Sequence, residues 1–221
     1  MISYWKITKK YRWIILVCFS EIFSQHTTDM QNYTPLPEGI YVKGSDFLKL
    51  RPLKKNSIVT DADTNDLEFY GKLMNKKELE YYTGQKKEKI LTDSIWGFVQ
   101  NNTLYVNVSG KFYRVPVFGT ISYFTAVVEV YNRFNSGMID PVTGMSMQVP
   151  SRTRELREFI ILPENDLKPV LYDHRKLEKY FREDSVVWKA YTSEPARKRN
   201  KYITRYIRMY NSLHPLVAGQ Q

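Results

Sequence analysis

Residues 87–131 read KEKILTDSIWGFVQNNTLYVNVSGKFYRVPVFGTISYFTAVVEVY, and the period of this stretch decides the fold. Short runs of Ile, Val, Leu, Tyr, Phe and Trp are parted by Asn101-Asn102, Ser109-Gly110 and Phe118-Gly119. Within the runs, Ile95, Gly97 and Val99 alternate with Trp96 and Phe98, and Leu104, Val106 and Val108 alternate with Tyr105 and Asn107. A period of two is the mark of a strand. Asn and Gly tolerate left-handed backbone and close tight hairpins. The stretch therefore predicts a meander of antiparallel strands, continued by residues 112–115 and 121–130. Pro116 has no N–H for a ladder and marks an edge or a bulge. Gly97 and Gly119 mark bends in a curved sheet.

Upstream, EGIYVKGSDFLKLRP (38–52) predicts a short strand over 39–43 and a single helical turn over 46–50. Ser45 is placed to cap that turn, which stops before Pro52. Residues 54–66 read as loop with a short strand at 58–60, and 67–70 as another short strand. Over 76–82 the charges favour helix and the tyrosines favour strand. Downstream, 134–150 contains NSGMIDPVTGMSM and reads as a long exposed hairpin or loop, followed by strands over 157–162 and 169–171.

After residue 172 the period changes. Asp173 is placed to cap a helix reaching about residue 183, with Leu177, Tyr180 and Phe181 inward. Ser185 is placed to cap a second, with Val187, Trp188 and Tyr191 packed. Pro195 opens a third, PARKRNKYITRYIRMYNSLHP, ended by Pro215. Within it Ile203, Tyr206, Ile207 and Tyr210 repeat at i, i+3, i+4 and i+7, a single helical stripe. The expected fold class is α+β: a curved antiparallel β-sheet or partly open barrel over 38–172, followed by C-terminal helices over 173–214 packed on the same domain. Those helices are expected to cover the second face of the aromatic sheet.

The beginning of the chain reads differently. Lys6, Lys9, Lys10 and Arg12 precede the apolar run WIILVCFS at 13–20. A basic start, a short apolar segment and a small residue at 24 make a secretory signal over 1–24, with 25–37 a polar, flexible leader. The run is shorter than the ~20 residues of a membrane span, and Glu21 interrupts it. Cys18 is the sole cysteine, preceded by Val17 where lipidation needs a small residue. Lipidation of Cys18 stays open as an alternative. A chain cut after Ser24 has no cysteine and hence no disulfide or thiol chemistry. The expected location is exported, periplasmic or associated with the cell surface.

The formal net charge is +10, and it is uneven. Between Arg175 and Arg208 eleven basic residues stand against four acidic ones, a local +7. Arg197, Lys198, Arg199, Lys201, Arg205 and Arg208 form a basic ridge beside the apolar stripe. They are the candidate contacts for a phosphate-rich or acidic polymer, although a ridge of this kind also serves simply as a solvated helix face. Export argues against nucleic acid as the partner. His26, His174 and His214 are scattered along the chain, with no second ligand read at metal spacing, so no metal and no cofactor are expected. No nucleophile elbow, zinc-protease helix, P-loop or dinucleotide fingerprint occurs, and no catalytic residue is singled out. A carboxylate pair assembled only by the fold stays open, because such pairs leave no local spacing. Asp93-Ser94-Ile95 and Asp184-Ser185-Val186 look like acceptor triplets for O-glycosylation in Bacteroidota, which leaves modification of Ser94 and Ser185 open.

Three pieces together carry a likeness: EGIYVKGSDFLKLRP, SIWGFVQNNTLYVNVSGKFYRVPVFGTISYF and YITRYIRMYNSLHP. They resemble an uncharacterised family of exported proteins from Bacteroidota, with a signal ending near Ser-Gln, an early GIY…F segment, a WG…LYVN…KFYR…YF sheet and a helical end. The resemblance implies an α+β fold and an envelope location. It implies no activity, ligand or site residue. The expected function is that of a non-enzymatic envelope protein binding or scaffolding another envelope protein or glycan. The alternatives are a hydrolase of an envelope polymer and an anionic-polymer binder using the basic helix.

Overall fold

The computed structural model describes residues 36–139, 144 and 146–216. The expected signal segment with Cys18, and His26 in the leader, lie outside them. Described residues from Pro37 onward pack as one unit.

The protein is α+β, and the described strands form three antiparallel sheets. The first has the order β1 (Gly39–Tyr41), β5 (Gly97–Gln100), β6 (Thr103–Val108), β7 (Lys111–Arg114). The second is β2 (Ile58–Val59), β3 (Glu78–Thr83), β4 (Lys86–Leu91). The third is β10 (Val170–Leu171), β9 (Ser146–Ile161), β8 (Ser122–Ile139). The sheets are curved and do not close.

The meander is present but divided. Asn101 and Asn102 have φ of 50° and 53°, and Ser109 and Gly110 have φ of 54° and 80°. Two consecutive positive φ values define the turn whose twist matches a hairpin, so β5–β6 and β6–β7 close as the dipeptides dictate. At Gly97 a Cβ would stand 2.4 Å from the Tyr105 carbonyl oxygen of the neighbouring strand, so glycine permits the close approach. The start of the stretch, β4, pairs instead with β3. In β3 the tyrosines prevail over the charges. Pro116 falls between β7 and the isolated Val117–Tyr123 bridge, outside any ladder.

Local chemistry corrects three expectations. The segment 67–70 is not a strand. The Asp66 carboxylate accepts the Glu68 N–H at 2.8 Å, and the chain turns into a five-residue helix over Phe69–Leu73 that buries Phe69, Tyr70 and Leu73. With the earlier helical turn Gly44–Leu48 as α1, this helix is α2. Ser45 does not cap α1: Lys43 holds the capping position, and the Asp46 carboxylate accepts its backbone N–H at 3.0 Å. Ser185 likewise yields to Asp184, whose longer side chain accepts the N–H groups of both Val186 and Val187.

Four helices follow among the described residues: α3 (His174–Glu183), α4 (Ser185–Thr192), α5 (Ala196–Lys201) and α6 (Ile203–Leu213). Asp173 caps α3 as expected, accepting the Arg175 N–H. The third expected helix is two helices, broken at Tyr202, whose φ and ψ of −110° and 24° leave the helical range.

Two buried clusters are prominent among the described residues. The sheet cluster joins Ile40, Ile58, Phe69, Tyr70, Leu73, Met74, Leu79, Ile95 and Phe98, with Phe98 stacked on Tyr105 at 4.7 Å. The helical cluster joins Leu177, Phe181, Val187, Tyr191 and the stripe Ile203, Tyr206, Ile207 and Tyr210 to Val117, Ile121, Ile160 and Leu162. The helices thus cover the foot of the β8–β9 hairpin rather than the second face of the meander. Asn211 fastens the two: its Oδ1 accepts the Ile121 N–H at 2.9 Å and its Nδ2 donates to the Ile121 carbonyl at 2.8 Å. Gly119 leaves room for that amide, since a Cβ there would lie 2.4 Å from Asn211 Cγ.

Candidate functional site

The basic candidates sit on α5 and α6. Arg197, Lys198 and Lys201 are exposed on α5, and Arg205 and Arg208 are exposed on α6. Arg205 Nη1 lies 3.6 Å from Glu194 Oε1, an exposed contact worth little in water. Arg197, Lys198, Lys201 and Arg208 make no ion pair among the described residues. The break at Tyr202 divides what the sequence presents as one continuous ridge into two short basic segments.

Arg199 is placed differently. Its guanidinium carbon stands 5.1 Å from the centre of the Tyr191 ring. Its Nε is buried without a hydrogen-bond partner among the described residues. A cation over an aromatic face is held by the ring quadrupole, so Arg199 ties α5 to α4 from inside.

Beneath it lies a polar network that sequence reasoning missed. The Tyr191 hydroxyl is 2.8 Å from His174 Nε2 and donates to Glu178 Oε1 at 3.3 Å. His174 Nε2 is 3.1 Å from the same Glu178 oxygen. Arg182 approaches the other oxygen of Glu178 at 3.5 Å. Burial, then the Glu178 charge, push the Tyr191 hydroxyl up to about 12, against the opposing pull of Arg199. The signal that could have found this network is the spacing of His174 and Glu178 at i, i+4 on one helix. The other described histidine, His214, bonds Asp184 Oδ2 at 2.8 Å. The Val187 N–H first, and His214 second, hold the Asp184 carboxyl below its ordinary range. Both histidine–carboxylate pairs therefore fix α4 in place. Among the described residues no group of three or more His, Cys, Asp or Glu could hold a metal ion.

A concavity of about 460 Å³ opens between β1–α1, the turn at 92–94 and the segment 166–169. Ile95 and Trp96 line it with Lys43, Lys168, Asp93 and Asp166. No ion pair joins these four charges among the described residues. Trp96 Nε1 donates to the Leu167 carbonyl at 2.8 Å. That bond helps hold Asp166 and Leu167 in consecutive left-handed conformations, with φ of 55° and 54°. Both carboxylates are exposed. Ser94 also lines this cleft, exposed, with its hydroxyl donating to the Leu91 carbonyl at 2.7 Å. Ser185 stands exposed at the first position of α4.

No family model, curated protein or solved structure matches the chain. No helix among the described residues is long and apolar enough to cross a membrane.

Proposed function

We propose that this chain is an exported, non-enzymatic envelope protein that binds an anionic envelope polymer through the basic face of α5 and α6. One observation carries the reading: Arg197, Lys198, Lys201 and Arg208 are exposed and make no ion pair among the described residues. On β4, by contrast, the exposed Lys87 and Lys89 are both matched by Glu80 at 2.6 Å each. Unmatched cations held on helices attract a polyanion by releasing its condensed counterions, an attraction that falls steeply with salt. The basic start and apolar run at 6–20 support export, and the resemblance to exported Bacteroidota proteins supports an envelope setting.

The test is retention on a polyphosphate matrix under a sodium chloride gradient. The chain is expected to elute at high salt. The charge reversal R197E/K198E/K201E/R208E, with an unchanged circular dichroism spectrum, is expected to move elution well below it. Equal elution of the two proteins would overturn the reading. N-terminal sequencing of the envelope fraction tests export separately, with Gln25 as the expected first residue.

The cleft supplies the observation that favours a hydrolase as the second reading, since Asp93 and Asp166 both line it. Both carboxylates stand exposed to water, so binding remains the preferred reading.

A further inference from the structure

Strand β8 presents one edge to β9 along its length. Its other edge is met only near its start. There Tyr123 exchanges backbone hydrogen bonds with Val117, and the Tyr113 hydroxyl donates to the Val127 carbonyl at 2.7 Å. Both contacts engage odd-numbered residues. The odd residues of β8 therefore aim their N–H and C=O groups away from β9, because strand backbone alternates with period two. From Glu129 onward no described strand meets those groups.

The two sides of the hairpin are guarded unequally. Glu158 offers its carbonyl outward to the Tyr172 N–H, so the even residues of β9 face its open side. These include Pro150, which has no N–H to give, and the chain beside it carries Arg152, Arg154 and Arg157. Proline and clustered charge are how sheet edges resist pairing. Strand β8, SYFTAVVEVYNRFNSGMI, has no Pro and no Lys. Its edge is open to another strand.

We propose that the occupant is β8 of a second copy of this chain, paired antiparallel about a two-fold axis at Tyr131. Charge favours this register, the one that sets opposite charges face to face. An axis at Glu129 sets Glu129 against itself, and an axis at Arg133 sets Arg133 against itself. Like charges directly opposite are destabilising. At Val127 the Tyr113 hydroxyl already holds the carbonyl. Centred on Tyr131, each Glu129 position faces the other copy's Arg133 position, twice by symmetry, and Tyr131 faces Tyr131. All of these positions are odd, so their outward N–H and C=O groups complete a ladder. The result is one continuous six-stranded sheet in the order β10-β9-β8-β8-β9-β10, a self-complementary contact of the kind that closes dimers. Tyr131, at 64 % exposure with Arg152 over its ring at 5.1 Å, is the apolar surface buried at the axis.

Light scattering coupled to size exclusion, on the full chain across a concentration series, reads the outcome. Wild type is expected at twice the chain mass. Tyr131→Pro removes an outward N–H without touching the β8–β9 ladder, and is expected to be monomeric with unchanged circular dichroism. Glu129→Arg is expected to weaken the dimer at least tenfold, and Glu129→Arg with Arg133→Glu to restore it. A wild type monomeric at its highest soluble concentration would overturn the proposal. So would an E129R/R133E chain that dimerises no better than E129R.

Discussion

The sheet cluster and the helical cluster of this protein are both dense with aromatics, yet their surfaces differ in kind. Around the β2–β3–β4 sheet, charges are matched locally: Glu80 of β3 meets Lys87 and Lys89 of β4, and Lys76 pairs with Asp61 in the adjoining loops. Around the helices, the acidic residues are turned to structural tasks. Asp184 caps α4 and holds His214, and Glu178 holds His174, Tyr191 and Arg182. Of the exposed basic residues of α5 and α6, only Arg205 meets a carboxylate, that of Glu194, among the described residues. A local excess of charge thus arises from where the acids are used as much as from how many cations there are.

The sharpest way to break the comparison is to ask whether the clusters are two folding units or one. Phe181 is fully buried against Tyr191, Tyr206 and Tyr210, and Leu73 is fully buried in the sheet cluster. Truncation leaves a cavity as well as lost apolar burial, so Phe181→Ala is expected to cost about 3–5 kcal/mol and Leu73→Ala about 2–5 kcal/mol. In urea unfolding, each variant is expected to shift one common transition. Two separated transitions would mean that the clusters melt independently.

A smaller effect tests the fastening between helices and hairpin. Asn211→Ala strips the partners from the Ile121 N–H and carbonyl, in a residue only 8 % exposed. Leaving buried polar groups unpaired is expected to cost about 1–3 kcal/mol, read by the same urea titration.

The smallest effect sharpens the charge contrast. Hydrogen bonds from Lys87 and then Lys89 lower the Glu80 carboxyl to about 2. A depressed folded-state value means that its stabilisation is complete above the unfolded value of about 4.3. The stabilisation is lost as pH falls from there toward 2. Glu80→Gln is therefore expected to narrow the drop in melting temperature between pH 5 and pH 2 slightly. Because the ladder is solvent-exposed, added salt should shrink that difference.

Where local chemistry acted alone, the sequence could be read. Asn101-Asn102 and Ser109-Gly110 turned as their backbone preferences require. The stripe Ile203, Tyr206, Ile207 and Tyr210 is buried as its spacing requires. Misreadings arose where two short-range choices competed. At each of Ser45 and Ser185 the terminal bond is made by the adjoining aspartate, Asp46 reaching back to the Lys43 N–H and Asp184 capping α4, and an aspartate turn at 66 started a helix in a segment with strand-like composition.

Of the candidate site, the sequence disclosed the basic residues but not their separate fates. It could not show that Arg199 turns in against Tyr191 while its neighbours stay in water. Nor could it show that Asp93 and Asp166 share a cleft.

By itself, then, the sequence determined the α+β class, the hairpin turns, the order of the helices and the concentration of positive charge near the end of the chain. Each follows from sterics and periodicity within a few residues. Only the tertiary structure decided which strand joins which of three sheets, where α5 parts from α6, which carboxylates are spent on histidines and caps, and which edge of β8 is open. Those are contacts between residues tens of positions apart. Their energies depend on what happens to be opposite, and neither period nor composition records that.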